Sequence, residues 1–281
     1  MRLLNFGYFC GIFASLVIGV SLSLRAETAT NWINTDQSRL RLVSAVEGVK
    51  RLDSLRIGLQ IKLAPGWKTY WRSPGDAGIP PQLDWSGSEN LKSAEILWPL
   101  PEQFEAYGFS SWGYQNEVVF PIDITLQNPG EPLDLKLRLQ LGICEDVCIP
   151  YTHEFALSLD TQSAGTTEEA ATIAAFARRA PDEIGSESSI LTEVMASSKD
   201  DRRFTVTATS TQPLDEPSII VEGKEGAYFN LLSTSLSTNR RQVVFELEGH
   251  LPAKSDRMPD QDITITVFDN DIAGEKHLRV D

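Results

Sequence analysis

Cysteine is nearly absent, with three residues in 281, and histidine is as rare. Zinc would need four ligands, and His153, His250 and His277 form no set that could supply them. We therefore expect no metal and no cofactor, and read the three histidines as ordinary surface or packing residues. Basic residues are scarce too: 25 Lys and Arg face 39 Asp and Glu, a formal charge of −14. A surface this acidic argues against nucleic acid and anionic lipid as partners. Beyond the first two dozen residues no apolar run is long enough to span a bilayer. Short internal repeats and low-complexity tracts are missing as well. Beyond Asp160 the chain has neither cysteine nor tryptophan, since the last cysteine is Cys148 and all six tryptophans (Trp32, Trp67, Trp71, Trp85, Trp98, Trp112) precede residue 113. Any chemistry is expected before that point.

The start of the chain reads as an export signal over residues 1–26. Arg2 supplies the positive charge, Leu3 to Leu24 is apolar apart from Asn5 and a few serines, and Ser21, Ser23 and Ala26 mark a cleavage region. Cleavage after Ser23 is a second position, and an uncleaved anchor the second reading. Cys10 is not preceded by the small residues a lipoprotein signal needs. The expectation is an exported, periplasmic chain with no stable membrane insertion after cleavage. Loss of Arg2 and Arg25 takes the charge to −16, and only Cys144 and Cys148 remain, in a compartment where cysteines tend to pair.

Period-two alternation dominates the remainder of the chain. Leu55, Ile57, Leu59, Ile61 and Leu63 alternate with polar or small residues, as do Leu133, Leu135, Leu137, Leu139 and Leu141. Strands are also expected at Arg39–Val46, Glu117–Leu126 and Thr152–Leu159, then at Phe204–Thr209, Pro217–Val221, Gln242–Leu247 and Asp262–Phe268. Such alternation predicts an all-β chain built of antiparallel sandwiches. One stretch differs: "TTEEAATIAAFARRAP" from Thr166 has the Thr/Glu169 spacing of a capping box, a face of Ala170, Ile173, Ala174 and Ala177, and Pro181 as a stop. The expected organisation is a first β-sandwich over 27–160, a helical linker over 161–189 and a smaller β-sandwich over 190–281.

"LGICEDVCIPY", Leu141 to Tyr151, holds the cysteine pair. As a staple, a bridge across about five residues contributes only about 2 kcal/mol, less than half of what a hundred-residue loop would give. Fully extended, the two Cα atoms would lie about 13 Å apart, against the roughly 7 Å a disulfide allows. Glu145, Asp146 and Val147 must therefore bulge or turn, leaving a strand that ends near Leu141. Pro150, which has no N–H to donate, favours a sheet edge. Two thiolates could also clip Cu(I), although no histidine ligand accompanies them. Glu145 and Asp146 disfavour the thiolates and so the reduced form, which suits an electron-giving redox pair. Redox fits the local chemistry best, with the structural and metal readings standing beside it.

"GWKTYWRSPGDAGIPP" (Gly66–Pro81), "WPLPEQFEAYGFSSWGYQNEVVFPI" (Trp98–Ile122) and "GICEDVCIP" (Gly142–Pro150) together resemble the N-terminal periplasmic domain family of the disulfide-interchange reductase DsbD. The nearest likeness is to the branch containing the copper-sensitivity suppressor ScsB. The resemblance covers about Leu40 to Leu159 and extends more weakly through the helix and second β unit. It implies an immunoglobulin-like sandwich with a redox-active pair that takes electrons from a membrane-embedded donor of the DsbD type. A periplasmic thioredoxin-like client would receive them. The exchanging role falls to Cys148 and the resolving role to Cys144. A cap loop over the disulfide falls on Phe104, Glu105, Ala106, Tyr107 and Gly108. The cysteine spacing is shorter than in the best-known members, and the membrane and thioredoxin-like domains do not occur in this sequence, so the donor is expected on a separate protein. The alternative is an adaptor or copper-handling binding protein. Tyr70 and Trp71 lie among Gly, Pro and charged residues and are read as surface aromatics that bed the cap or dock a partner. Trp67 and Trp112 are read as core, and Asp76 as a turn residue.

Overall fold

Alternating apolar and polar side chains force antiparallel pairing here, because each strand can bury one face only against a second layer. A computed structural model describes residues 27–281 except 76–77, 107–108, 254–255, 260 and 271. The export-signal reading and the expectations for Asp76, Tyr107 and Gly108 fall outside the described residues. In chain order the first strands are β1 (Ile33–Asn34), β2 (Ser38–Ser44), β3 (Ser54–Leu63), β4 (Lys68–Gly75), β5 (Gln82–Asp84) and β6 (Leu91–Ile96). Next are β7 (Glu102–Ala106), β8 (Phe109–Gln115), β9 (Glu117–Leu126), β10 (Leu133–Cys144) and β11 (Cys148–Leu159).

They form two sheets, ordered β1-β2-β3-β9-β6 and β11-β10-β4-β8-β7, with β5 pairing β10. Leu40, Leu42, Ile57, Leu59 and Ile61 from one sheet meet Leu133 to Leu141, Ile143 and Trp71 from the other in one continuous core. This is an immunoglobulin-like β-sandwich. The expected edge is present: β11, which carries Pro150, ends its sheet. β10 runs three residues past the expected end at Leu141, with Gly142, Ile143 and Cys144 all buried. Alternation stops at Gly142–Cys144, where both faces of the strand are covered.

The helix α1 (Ala170–Ala177) forms without the expected capping box. Thr166 instead bridges Val46, and Thr167 Oγ1 donates to the Ser44 carbonyl at 2.6 Å. Glu169 faces Arg41 at 3.5 Å. The helix sits on the outer face of the first sheet, where Ile173 is buried with Val43 and Val119. Gly58 makes the room, since a Cβ there would stand 3.1 Å from Ile173 and 2.7 Å from Val119.

Then come β12 (Asp182–Glu183), β13 (Leu191–Ser198), β14 (Arg203–Ser210), β15 (Ser218–Glu222), β16 (Tyr228–Leu236), β17 (Gln242–His250), β18 (Asp262–Asp269) and β19 (Ile272–Arg279). Sheets β12-β19-β18-β15 and β13-β14-β17-β16 close a second, smaller sandwich over Phe204, Val206, Phe245, Ile265 and Val267. Among its strands, β13, β16 and β19 escape the period-two pattern. β13 carries a register shift between Leu191 and Glu193, and β16 is an edge exposed on both faces. The sandwiches touch: Trp112 stands edge-on to Phe268 at 5.9 Å, and Ile220 of β15 joins the first core.

Candidate functional site

The cysteines sit at the tip of the longest hairpin. Cys144 and Cys148 face each other as the last pair of the β10–β11 ladder, their Cα atoms 4.1 Å apart and their sulfurs bonded at 2.08 Å. The expected turn at Glu145–Asp146–Val147 is present, and only the expected strand end near Leu141 is corrected. The strand stays paired to Cys144, and the chain turns only at Glu145–Asp146–Val147, because cross-strand register already brings the Cβ atoms together.

The two sulfurs are unequal in access. Cys144 is 1 % exposed, Cys148 is half-buried, and neighbouring Val147 is 73 % exposed. A reactant therefore meets Cys148 first.

β4 walls one side of the hairpin. Lys68 pairs with Cys144, Thr69 Oγ1 donates to the Gly142 carbonyl at 3.0 Å, and the Tyr70 hydroxyl lies 3.3 Å from Cys148 Sγ. Returning chain presses on this strand. The Gly142 N–H donates to the Ile79 carbonyl at 3.1 Å, and a Cβ on Gly78 would stand 2.5 Å from the Tyr70 ring. Gly78 also has φ +134°, a conformation that favours glycine. Burial raises the pKa of Tyr70, so its hydroxyl stays protonated and available to donate.

The surface reading of Tyr70 and Trp71 is corrected by these contacts. Tyr70 is 3 % exposed because Gly78 roofs its ring, and Trp71 is wholly buried because successive strand residues face opposite ways and its side faces the core. Trp67 and Trp112 are partly buried and pack against that core. Of the cap residues, Phe104 is half-buried on β7 with its ring 5.6 Å from Lys68 Nζ, and Glu105 is exposed. Sequence reasoning missed Lys68, Thr69, Gly78 and Ile79. The glycine and proline density of Gly66–Pro81 was the available signal. Among the described residues no group of three or more His, Cys, Asp and Glu is arranged to hold a metal ion, and no helix is long and apolar enough to cross a membrane.

His153, farther along β11, stacks on Tyr151 with ring centres 5.5 Å apart, and its Nε2 is buried without a hydrogen-bond partner among the described residues. Burial pushes its pKa below the ordinary 6.5. The folded chain thus prefers the neutral ring, whereas the unfolded chain takes up a proton as pH falls through about 6.5. The stability this ring contributes is full above that pH and is lost below it, down to the lowered folded value. Melting curves of His153→Phe should therefore drop less than wild type between about pH 7 and about pH 5. Parallel drops would show that burial of this ring has no part in the pH dependence.

Residues 42–160 match the family model described as thiol:disulfide interchange protein DsbD, N-terminal. Residues 179–281 match a domain of unknown function, DUF8393. No curated protein matches the chain. Among solved structures, the chain is similar to the N-terminal periplasmic domain of ScsB from Proteus mirabilis, at 22 % identity over 90 % of this chain and 98 % of that one, with a TM-score of 0.69. At this identity the likeness establishes the fold.

Proposed function

We propose, from the match of residues 42–160 to the model of the DsbD N-terminal thiol:disulfide interchange family, that the chain relays reducing equivalents through Cys144 and Cys148. The observation that carries this reading is the unequal access of the two sulfurs, with the Tyr70 hydroxyl beside the reachable one. A donor thiolate attacks Cys148 Sγ along the S–S axis. The donor–Cys148 bond forms, the Cys144–Cys148 bond breaks, and Cys144 leaves as a thiolate that takes up a proton. The donor's second thiolate then attacks its own sulfur in the mixed disulfide, releasing Cys148. The donor ends as a disulfide and this chain as a dithiol, two electrons and two protons richer. Delivery runs the same steps toward an oxidised client: Cys148 attacks, and Cys144 resolves.

The compartment in this reading is the periplasm, the donor a membrane-embedded protein of the DsbD type, and the client a thioredoxin-like protein. Phe104 and Glu105 are the described part of the cap in this reading. Phe104 beside Lys68, which pairs with Cys144, is consistent with that role.

Equilibration of the purified chain with glutathione redox buffers tests the proposal. The expected result is a reversible two-electron couple more reducing than glutathione. A couple well above glutathione would count against a reductant, and no reversible couple at all would leave the pair a structural bridge.

A further inference from the structure

β4 is held at both ends. Its first residues meet the disulfide hairpin, and from Arg72 onward it meets the second sandwich. Arg72 Nε donates to both carboxylate oxygens of Glu222 on β15 at 3.1 Å, and Nη2 donates to Glu222 Oε1 at 2.6 Å. Nη2 also donates to Glu275 on β19, whose Oε2 accepts from Thr266 Oγ1 at 3.1 Å. The guanidinium lies 4.4 Å from the centre of the Trp71 ring. Pairing with β8 slips between Tyr70 and Gly75, so the segment from Trp71 to Pro74 is out of that ladder where Arg72 is gripped. Trp112 against Phe268 carries the contact on to β8.

These charges are largely withdrawn from water: the side chains of Arg72, Glu222 and Glu275 are 24%, 16% and 29% exposed. Burial alone would lower the Arg72 pKa, but its hydrogen bonds to Glu222 and the charges of both carboxylates raise it. A planar fork held by two carboxylates fixes direction as well as position. One residue, Trp71, separates this clamp from Tyr70, and it is locked in the core.

Resting on the thiol-exchange reading, we propose that Arg72 is a positioning residue: the second sandwich, through Glu222 and Glu275, holds β4 so that the Tyr70 hydroxyl stays against Cys148 and sets the reactivity of that sulfur. On reduction, the phenol can donate to the Cys148 thiolate and favour the attacking species. The second sandwich, which contains no cysteine, thereby acts on the chemistry of the first.

The test uses the full chain with Cys144→Ser, so that Cys148 alone reports. Iodoacetamide alkylation is followed across a pH series for Glu222→Gln/Glu275→Gln, for Tyr70→Phe and for all three changes together. The clamp variant is expected to react several-fold more slowly at neutral pH, with its profile displaced to higher pH. Tyr70→Phe should lose as much, and adding the clamp changes to it should lose nothing more. An unchanged rate in the folded clamp variant would overturn the proposal, as would a further equal loss in the Tyr70→Phe background. If the double change prevents folding, Glu275→Gln alone, which leaves the paired bonds to Glu222, carries the same comparison. Alkylation reads the clamp without a donor or client. A missing reversible couple in wild type would therefore sink the exchange reading while this result still judges the clamp.

Discussion

Cys144→Ser is expected to accumulate mixed disulfides with thiol partners, and Cys148→Ser to accumulate none. With Cys144 replaced, Cys148 remains half-exposed beside the exposed Val147, free to attack a partner disulfide but without a resolving thiol to release it. With Cys148 replaced, the remaining thiol is 1 % exposed beneath the hairpin tip. Exchange requires the approach of a partner sulfur along the bond axis, which that burial denies. The measurement is a non-reducing gel of each variant after incubation with an oxidised thioredoxin-like protein. Equal trapping by both, or by neither, would end the assignment of Cys148 as the exchanging sulfur.

The second large effect concerns packing beneath the site. Gly113 on β8 pairs with Tyr70, and a Cβ there would stand 2.1 Å from the Thr69 carbonyl oxygen and 3.2 Å from Tyr70 Cα. Both neighbours are backbone, so no side chain can swing aside, and β8 must move off β4. Gly113→Ala should cost about 3 kcal/mol, at the upper end of overpacking. In a chain of this size that lowers Tm by roughly 6–12 °C. Gly87→Ala is the control: its Cβ would meet only the Lys136 side chain at 3.4 Å, and it should stay within about 0.5 kcal/mol of wild type. A Gly113→Ala chain that melts with wild type would mean that β4 and β8 are not held as close as described, and Tyr70 with them.

How far the sequence reaches depends on what each signal reports. Alternation located β10 as far as Leu141 because that stretch buries one face and wets the other, and it located β3 from Leu55 to Leu63 because the residue types alternate even where the second face is covered. It failed at β16, where neither face is buried, and at Gly142–Cys144, where everything is. The Thr166/Glu169 spacing marked a helix correctly but not its cap. Thr166 and Thr167 are engaged by the first sandwich, at Val46 and Ser44, and tertiary hydrogen bonds outcompeted the local one.

The same division runs through the site. Cys144 and Cys148 were legible because they are nearly the only cysteines, and a turn between them was required because a disulfide cannot span an extended segment. The motifs around them sufficed to point to a thiol-exchange family. Local composition could not say that Tyr70 and Trp71 are buried, since Gly and Pro around them suit a surface loop equally well. The roof over Tyr70 arrives from Gly78, and the clamp on Arg72 from β15 and β19, some 150 and 203 positions away in sequence. By itself, then, the sequence determined the strands whose residue types alternate and the cysteine pair, because both are written in spacing between near neighbours. Only the tertiary structure decided which sulfur is reachable and which hydroxyl touches it, because access and contact are set by segments that meet across sheets and between sandwiches.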